Sequence, residues 1–185
     1  MDKQFVSHLI HAANVLDRIG CLPATDGNFS VRVGTSKAIV TRKGVEKRGL
    51  SQADLVEIDL HDPNPHGASS EWKLHRALYE ARPDVHAILH VHAPNLGVFV
   101  AAGKVPDVQL LMEAEITLNG VALIPYVEPG TAQLGEAAIE HGGNAGVLLL
   151  ERHGVVAVGA SIDEALHRLE RAEFLARVQL GLKLL

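Results

Sequence analysis

The residues best equipped for chemistry in this chain are His90 and His92, separated by Val91 within the apolar run Val85–His92. On a strand alternate side chains share a face, so the two imidazoles point the same way and reach one cation with little backbone strain. Zinc at a catalytic site commonly takes three protein ligands and keeps a further position open. His153 is the third candidate, because it follows an apolar strand and precedes Gly154, which permits a tight turn. An isolated His-x-His also occurs as a plain strand end, so the pair alone leaves metal binding and packing both open. His86 shares the strand face but lies about 13 Å from His90 at strand rise, too far to share its cation. His61, His66, His75, His141 and His167 show no partner and read as surface or packing histidines.

A second group is Ser69-Ser70-Glu71 at an expected helix start. Free backbone N–H groups, the positive end of the helix dipole and two hydroxyls suit a phosphate there. The same residues serve equally as first-turn caps. Glu71 also qualifies as a general base if burial and a nearby cation tune it. Two glycine-containing strand ends, Gly27-Asn28-Phe29-Ser30 and Thr41-Arg42-Lys43-Gly44, carry donors able to cradle phosphate oxygens, or pass as ordinary turns. Cys21 has no activating neighbour in sequence. No nucleophile elbow, Walker loop or dinucleotide fingerprint is present.

The elements that must position these residues alternate between helix and strand. Phe5, Leu9, Ala12, Ala13, Leu16 and Ile19 recur at helical spacing before a Gly20 stop. Asn28–Val33 alternates as a half-buried strand, and two more strands are expected over 37–41 and 55–60, followed by a Pro- and Gly-containing loop over 61–67. A helix beginning at Ser69 and Ser70 carries the stripe Leu74, Ala77, Leu78 and Ala81 and ends before Pro83. A strand over 85–92 and a short helix from Pro94 to about Gly103 come next. Then come a strand over 120–126, a helix over 131–141, and 147–158 as a strand pair or one strand broken at His153-Gly154. Ser161 and Glu164 form a capping box that opens a last helix running almost to Leu185.

At 185 residues, with no repeat, linker or low-complexity tract, this is one α/β domain spanning 1–185. A net charge of -5 lacks the basic excess of a duplex-binding surface. The single cysteine forms no internal disulfide, and no signal peptide or membrane-length apolar run occurs, so a cytoplasmic location is expected.

Gly-Asn-x-Ser, Thr-x-x-Gly, Ser-Ser-Glu about 20 residues before His-x-His, and a late His-Gly follow one another in a fixed order. From about residue 5 to 180 this succession resembles the class II aldolase/adducin family. Ser69–His75 and Ala81–Asp84 look closest to its fuculose-1-phosphate aldolase type. The resemblance implies a three-layer α/β/α sandwich around a largely antiparallel sheet, usually a ring-shaped homotetramer with sites between subunits. It implies one Zn2+ per subunit on His90, His92 and His153, with Glu71 as acid/base that touches the metal when substrate is absent. It also implies a substrate phosphate on Gly27, Asn28, Thr41, Gly44, Ser69 and Ser70.

Three departures from the family pattern stand out. The loop Thr41-Arg42-Lys43-Gly44 replaces the usual Thr-Pro-Ser/Thr-Gly, so Lys43 either binds phosphate as a charge or points away. Gln109–Glu115 contains no tyrosine to serve as proton donor from a neighbouring subunit, only Glu113 and Glu115. The sequence runs to Leu185 without the tail that often covers the site. Three readings follow: a zinc-dependent aldolase splitting a 1-phosphoketose into dihydroxyacetone phosphate and an aldehyde, a methylthioribulose-1-phosphate dehydratase using the same zinc site, and a metal-free adducin-like interaction domain.

Overall fold

A computed structural model describes residues 1–185. In chain order the elements are α1 (Lys3–Arg18), β1 (Asn28–Val33), β2 (Lys37–Thr41), β3 (Leu55–Asp59), α2 (Trp72–Ala81), β4 (Ala87–Val91), α3 (Pro94–Ala102), α4 (Met112–Thr117), β5 (Val121–Ile124), α5 (Ala132–Gly142), β6 (Val147–Leu150), β7 (Gly154–Gly159) and α6 (Ile162–Leu182). The strands form one seven-stranded sheet in the order β3-β2-β1-β4-β7-β6-β5. Every pairing is antiparallel except β5 with β6.

The sheet is covered on both faces, which gives the three-layer α/β/α sandwich. Side chains of α1, α3, α4 and α6 form the larger core with one face, for example Leu9, Leu16, Phe99, Leu169 and Leu175 against Phe29, Leu89, Val91 and Val155. Helices α2 and α5 close the other face, where Trp72, Leu78, Tyr79 and Leu134 meet Ile88, Leu148 and Val156. Central strands buried on both faces read as continuous apolar runs, which is why 147–158 shows no alternation.

Helix ends follow local chemistry. Asp2 accepts the Gln4 N–H, and Ser161 Oγ accepts the Glu164 N–H at 3.1 Å. The N-terminus of α3 is capped from a distance: the buried carboxylate of Glu173 on α6 accepts the backbone N–H groups of Asn95 and Leu96, both at 2.9 Å.

Several boundaries differ from the sequence reading. The segment 147–158 is a strand pair, turned at Glu151-Arg152-His153, with Arg152 rather than Gly154 in the left-handed region at φ 58°. Helix α2 starts at Trp72, because Ser69 and Ser70 are spent in the preceding turn, where the Ser69 carbonyl accepts the Trp72 N–H at 3.1 Å. Helix α4 has no counterpart in the sequence reading, since six residues are too few to show a period.

Gly154 is required for close packing rather than for turning. A Cβ there would sit 2.8 Å from His90 Cε1, 2.8 Å from Val91 O and 2.9 Å from His92 Cδ2. Gly154→Ala is therefore expected to cost about 1–3 kcal/mol through overpacking. Gly97→Ala, in a helix with nothing within 4 Å, is expected to gain a few tenths to about 1 kcal/mol. Denaturant midpoints at unchanged slope measure both, and equal shifts would contradict the packing argument.

Candidate active site

The site is built on the register of the central strands. Asn28 is paired with His90 across β1 and β4, and His90 with Val156 across β4 and β7. His90 shares a sheet face with Ile88, whereas Leu89 and Val91 enter the opposite core, as strand alternation requires. His92 lies just past the end of β4, its N–H bonded to Cys21 O at 3.2 Å. The β6–β7 turn delivers His153. The three rings converge, with centroids 5.2, 4.8 and 5.4 Å apart, and their ligand nitrogens lie within 4.8 Å of one another.

Ring orientation follows from the neighbouring acceptors. His90 Nδ1 is 3.0 Å from the Val155 carbonyl, which can only accept, so Nδ1 carries a proton and Nε2 is the nitrogen turned to the cluster. That buried Nε2 has no hydrogen-bond partner. His92 Nδ1 lies 3.3 Å from an Asp26 carboxylate oxygen, the outer partner that metal-bound imidazoles usually have. Glu71 reaches into the same point: Oε2 is 3.1 Å from His90 Nε2 and Oε1 is 3.3 Å from His153 Nε2. Asn28 Nδ2 donates to Glu71 Oε2 at 2.6 Å.

Burial alone would raise the Glu71 carboxyl, but His90, His153 and Asn28 outweigh it and hold it well below the usual carboxylate range. Burial, helped by His90, pushes His153 down to about 4 and lowers His92 as well. Burial thus favours the uncharged form of His153. Neutral imidazoles are the state a metal ligand needs. Buried Glu71 Oε1 and His90 Nε2 have no hydrogen-bond partner, and His90, His92 and His153 could hold a cation between them.

Above this floor opens a cleft of about 370 Å³ lined by fifteen residues. Gly27, Asn28, Gly44, Ser69, Ser70 and Glu71 all line it, together with Lys43. Thr41 does not. Its side chain is fully buried, and Oγ1 accepts the Phe29 N–H at 3.1 Å while its carbonyl accepts the Ser69 N–H at 3.0 Å. Its role is to tie the phosphate-type loops to β1, not to face a ligand. Glu71 occupies the N-cap position of α2, but its side chain makes no capping bond, so the alternative of a simple first-turn cap does not hold. Gly27, at φ 78°, leaves room for the His90 carbonyl, which a Cβ would meet at 2.4 Å.

Helix α2 is anchored by residues that sequence reasoning passed over. His75 is buried and bonds Ser30 Oγ through Nδ1 at 2.7 Å, and Ser30 Oγ also bonds the Tyr79 hydroxyl at 2.7 Å. Burial pushes His75 down to about 3, so it is a neutral structural link. Its spacing of four from Glu71 on one helix was the available signal. Asp26, Lys47 and the Pro129-Gly130 turn also line the cleft and carry no motif. Glu113 and Glu115 are exposed on α4 and line no part of it. His61, His66, His86, His141 and His167 are exposed and stand outside the cleft, and burial pushes the Cys21 thiol up to about 12. No helix is long and apolar enough to cross a membrane.

Known proteins are similar to this chain in sequence and in fold. A 5-methylthioribulose-1-phosphate/5-deoxyribulose-1-phosphate aldolase of Rhodospirillum rubrum is 32% identical over 170 residues, covering 91% of this chain and 76% of its own. A methylthioribulose-1-phosphate dehydratase of Pectobacterium atrosepticum is 29% identical and covers 100% of this chain and 97% of its own. The crystal structure of L-fuculose-1-phosphate aldolase from Thermus thermophilus superposes with a TM-score of 0.84 at 28% identity, covering 99% of this chain and 96% of that one. Residues 7–180, which hold every side chain of the cleft, match the Class II Aldolase and Adducin N-terminal domain, and the chain belongs to that family.

Proposed function

We propose that this protein is a zinc-dependent aldolase that cleaves a 1-phosphoketose of the L-fuculose-1-phosphate type into dihydroxyacetone phosphate and an aldehyde. The observation that carries the reading is Glu71, a buried carboxylate that caps nothing and instead lies 3.1 and 3.3 Å from two of three clustered imidazoles. His90, His92 and His153 hold the metal, and an all-imidazole donor set suits zinc. When bound, the ion supplies Lewis-acid polarisation of the ketose oxygens. Glu71 then moves the proton at the carbon beside the carbonyl. Ser69, Ser70, Gly27, Asn28 and Gly44, with Lys43 as a charge, grip the phosphate, so that binding energy remote from the reacting carbons fixes their orientation.

Cleft polarity favours a hydroxylated sugar over one with a methylthio tail. Of the fifteen lining residues only Pro129 has a purely hydrocarbon side chain, so a methylthio tail finds almost no apolar wall on this chain. The second reading is methylthioribulose-1-phosphate dehydration with the same zinc site, supported by the Pectobacterium relative that matches over nearly its whole length. Retention of all three histidines and of Glu71 speaks against a metal-free adducin-like role. A homotetramer in the cytoplasm, with Glu113 or Glu115 acting across a subunit boundary, rests on the resemblance. An active species of one-chain mass in light scattering would remove it.

Two variants separate metal holding from proton transfer. His90→Ala is expected to lose both the zinc, near one equivalent in the parent, and the activity. Glu71→Gln is expected to keep zinc and phosphate affinity while losing about 10²-fold or more in turnover. Equal zinc in His90→Ala and parent, or an undiminished Glu71→Gln enzyme, contradicts the assignment.

Product analysis decides the reaction. Zinc-loaded protein offered fuculose-1-phosphate, ribulose-1-phosphate and methylthioribulose-1-phosphate is expected to release dihydroxyacetone phosphate, seen by coupled NADH oxidation. A dehydrated diketo phosphate without dihydroxyacetone phosphate would establish the dehydratase instead.

A further inference from the structure

Lys47 is the most buried cation of the molecule, only 3% exposed, yet it belongs to no ion pair. Its Nζ donates to the Thr25 carbonyl and, at 2.7 Å, to the Val45 carbonyl. A lysine nitrogen has three positions besides its carbon. Two are occupied by carbonyls, which demand N–H donors in either protonation state. The third belongs to a residue that lines the cleft, beside Asp26 and the metal-type histidines. Such a nitrogen keeps both anchoring bonds whether the third position holds a proton or a lone pair. That is the geometry of a group able to give and take one proton without moving.

The electrostatics agree with that geometry. Burial lowers the proton affinity of Lys47, partly countered by Asp26 and Glu71, which line the same cleft. Lys47 lines the cleft together with Asp26, Glu71, His92 and His153, the residues of its reacting end. Lys43, by contrast, also borders Ser69, Ser70 and the Pro63–Pro65 loop, on the phosphate side. Aldol cleavage requires two proton transfers at different atoms, one at carbon and one at the hydroxyl oxygen of the breaking bond. Glu71 is assigned the first, which leaves the second to another group of the cleft.

We propose that Lys47 is a catalytic residue, the acid/base at the oxygen that becomes the aldehyde; this rests on the aldolase reading above. In cleavage the Lys47 lone pair takes the C4 hydroxyl proton, the C3–C4 bond breaks, and the bonding pair remains on C3. The Glu71 carboxyl, loaded with a proton from solvent when the sugar phosphate binds, gives that proton to C3, yielding dihydroxyacetone phosphate and the aldehyde, and Lys47 then returns its proton to solvent. In condensation the hydrogen on the hydroxymethyl carbon of dihydroxyacetone phosphate passes to Glu71, the new bond forms, and Lys47 protonates the aldehyde oxygen.

The test separates the two proton transfers in the zinc-loaded enzyme. Exchange of the hydroxymethyl hydrogen of dihydroxyacetone phosphate with D2O needs Glu71 but no aldehyde oxygen. Lys47→Met and Lys47→Arg are expected to lose about 10²-fold or more in cleavage while exchange stays within about 3-fold of the parent and zinc content is unchanged. Lys47→Arg keeps donors for both carbonyls, so it holds the loop even if Lys47→Met does not. Loss of exchange in parallel with cleavage in Lys47→Arg would reduce Lys47 to a tie for the Thr25 loop and overturn the proposal. Undiminished cleavage in either variant overturns it too. A parent enzyme that cleaves none of the three sugars defeats the underlying reading, and does so before any variant is made.

Discussion

The contact between the Glu71 carboxylate and the His90 imidazole depends on a strand register, and most of the site depends on that contact. Asn28 and His90 are paired across β1 and β4, so the amide that donates to Glu71 and the ring that faces it are fixed by backbone hydrogen bonds. The side-chain period of a strand is two, so a slip of one residue would turn His90 into the opposite core and bring Val91 to the site. Both strands are central in the sheet and buried on both faces, which makes such a slip prohibitively costly.

The same constraint explains where the chain tolerates no side chain. His90 is packed so closely that Gly27 borders its carbonyl and Gly154 borders its ring. Helix α2 must also be held at one height along its axis for Glu71 to meet the rings. The Ser30–His75–Tyr79 network pins it to β1 through polar bonds that are lost if the helix slides. Polar networks of this kind specify a position more sharply than apolar packing, since a buried donor left unpaired costs about 1–3 kcal/mol.

Charge is partitioned along the cleft in a way that suits a small anionic substrate. Three imidazoles and a strongly acidic carboxylate form the floor, Lys43 stands with the serines, and Lys47 lines the cleft with Asp26. A cleft almost without hydrocarbon walls derives specificity from directed hydrogen bonds and charge rather than from shape alone.

Periodicity along the chain determined the element types, because long amphipathic helices such as α1 and α6 and the apolar central strands carry their partners' faces in their own residue spacing. The ordered motifs around Asn28, Glu71, His90, His92 and His153 left their roles open one by one, and pointed to a shared site only through the family resemblance they carry together. The order of strands, the three layers and the strand-pair nature of 147–158 were implied only by resemblance or left open, since pairing partners are distant in sequence. Tertiary structure alone decided that Thr41 faces β1 instead of the cleft, that Gly154 answers to packing rather than to a turn, and that His75 is a buried link. It also decided that Lys47 reaches the site. In sequence Lys47 looks like any loop lysine, and only the fold places two carbonyls around its nitrogen and a polar cleft beyond it. A side chain's environment depends on chain segments far from it in sequence, and no local pattern encodes them.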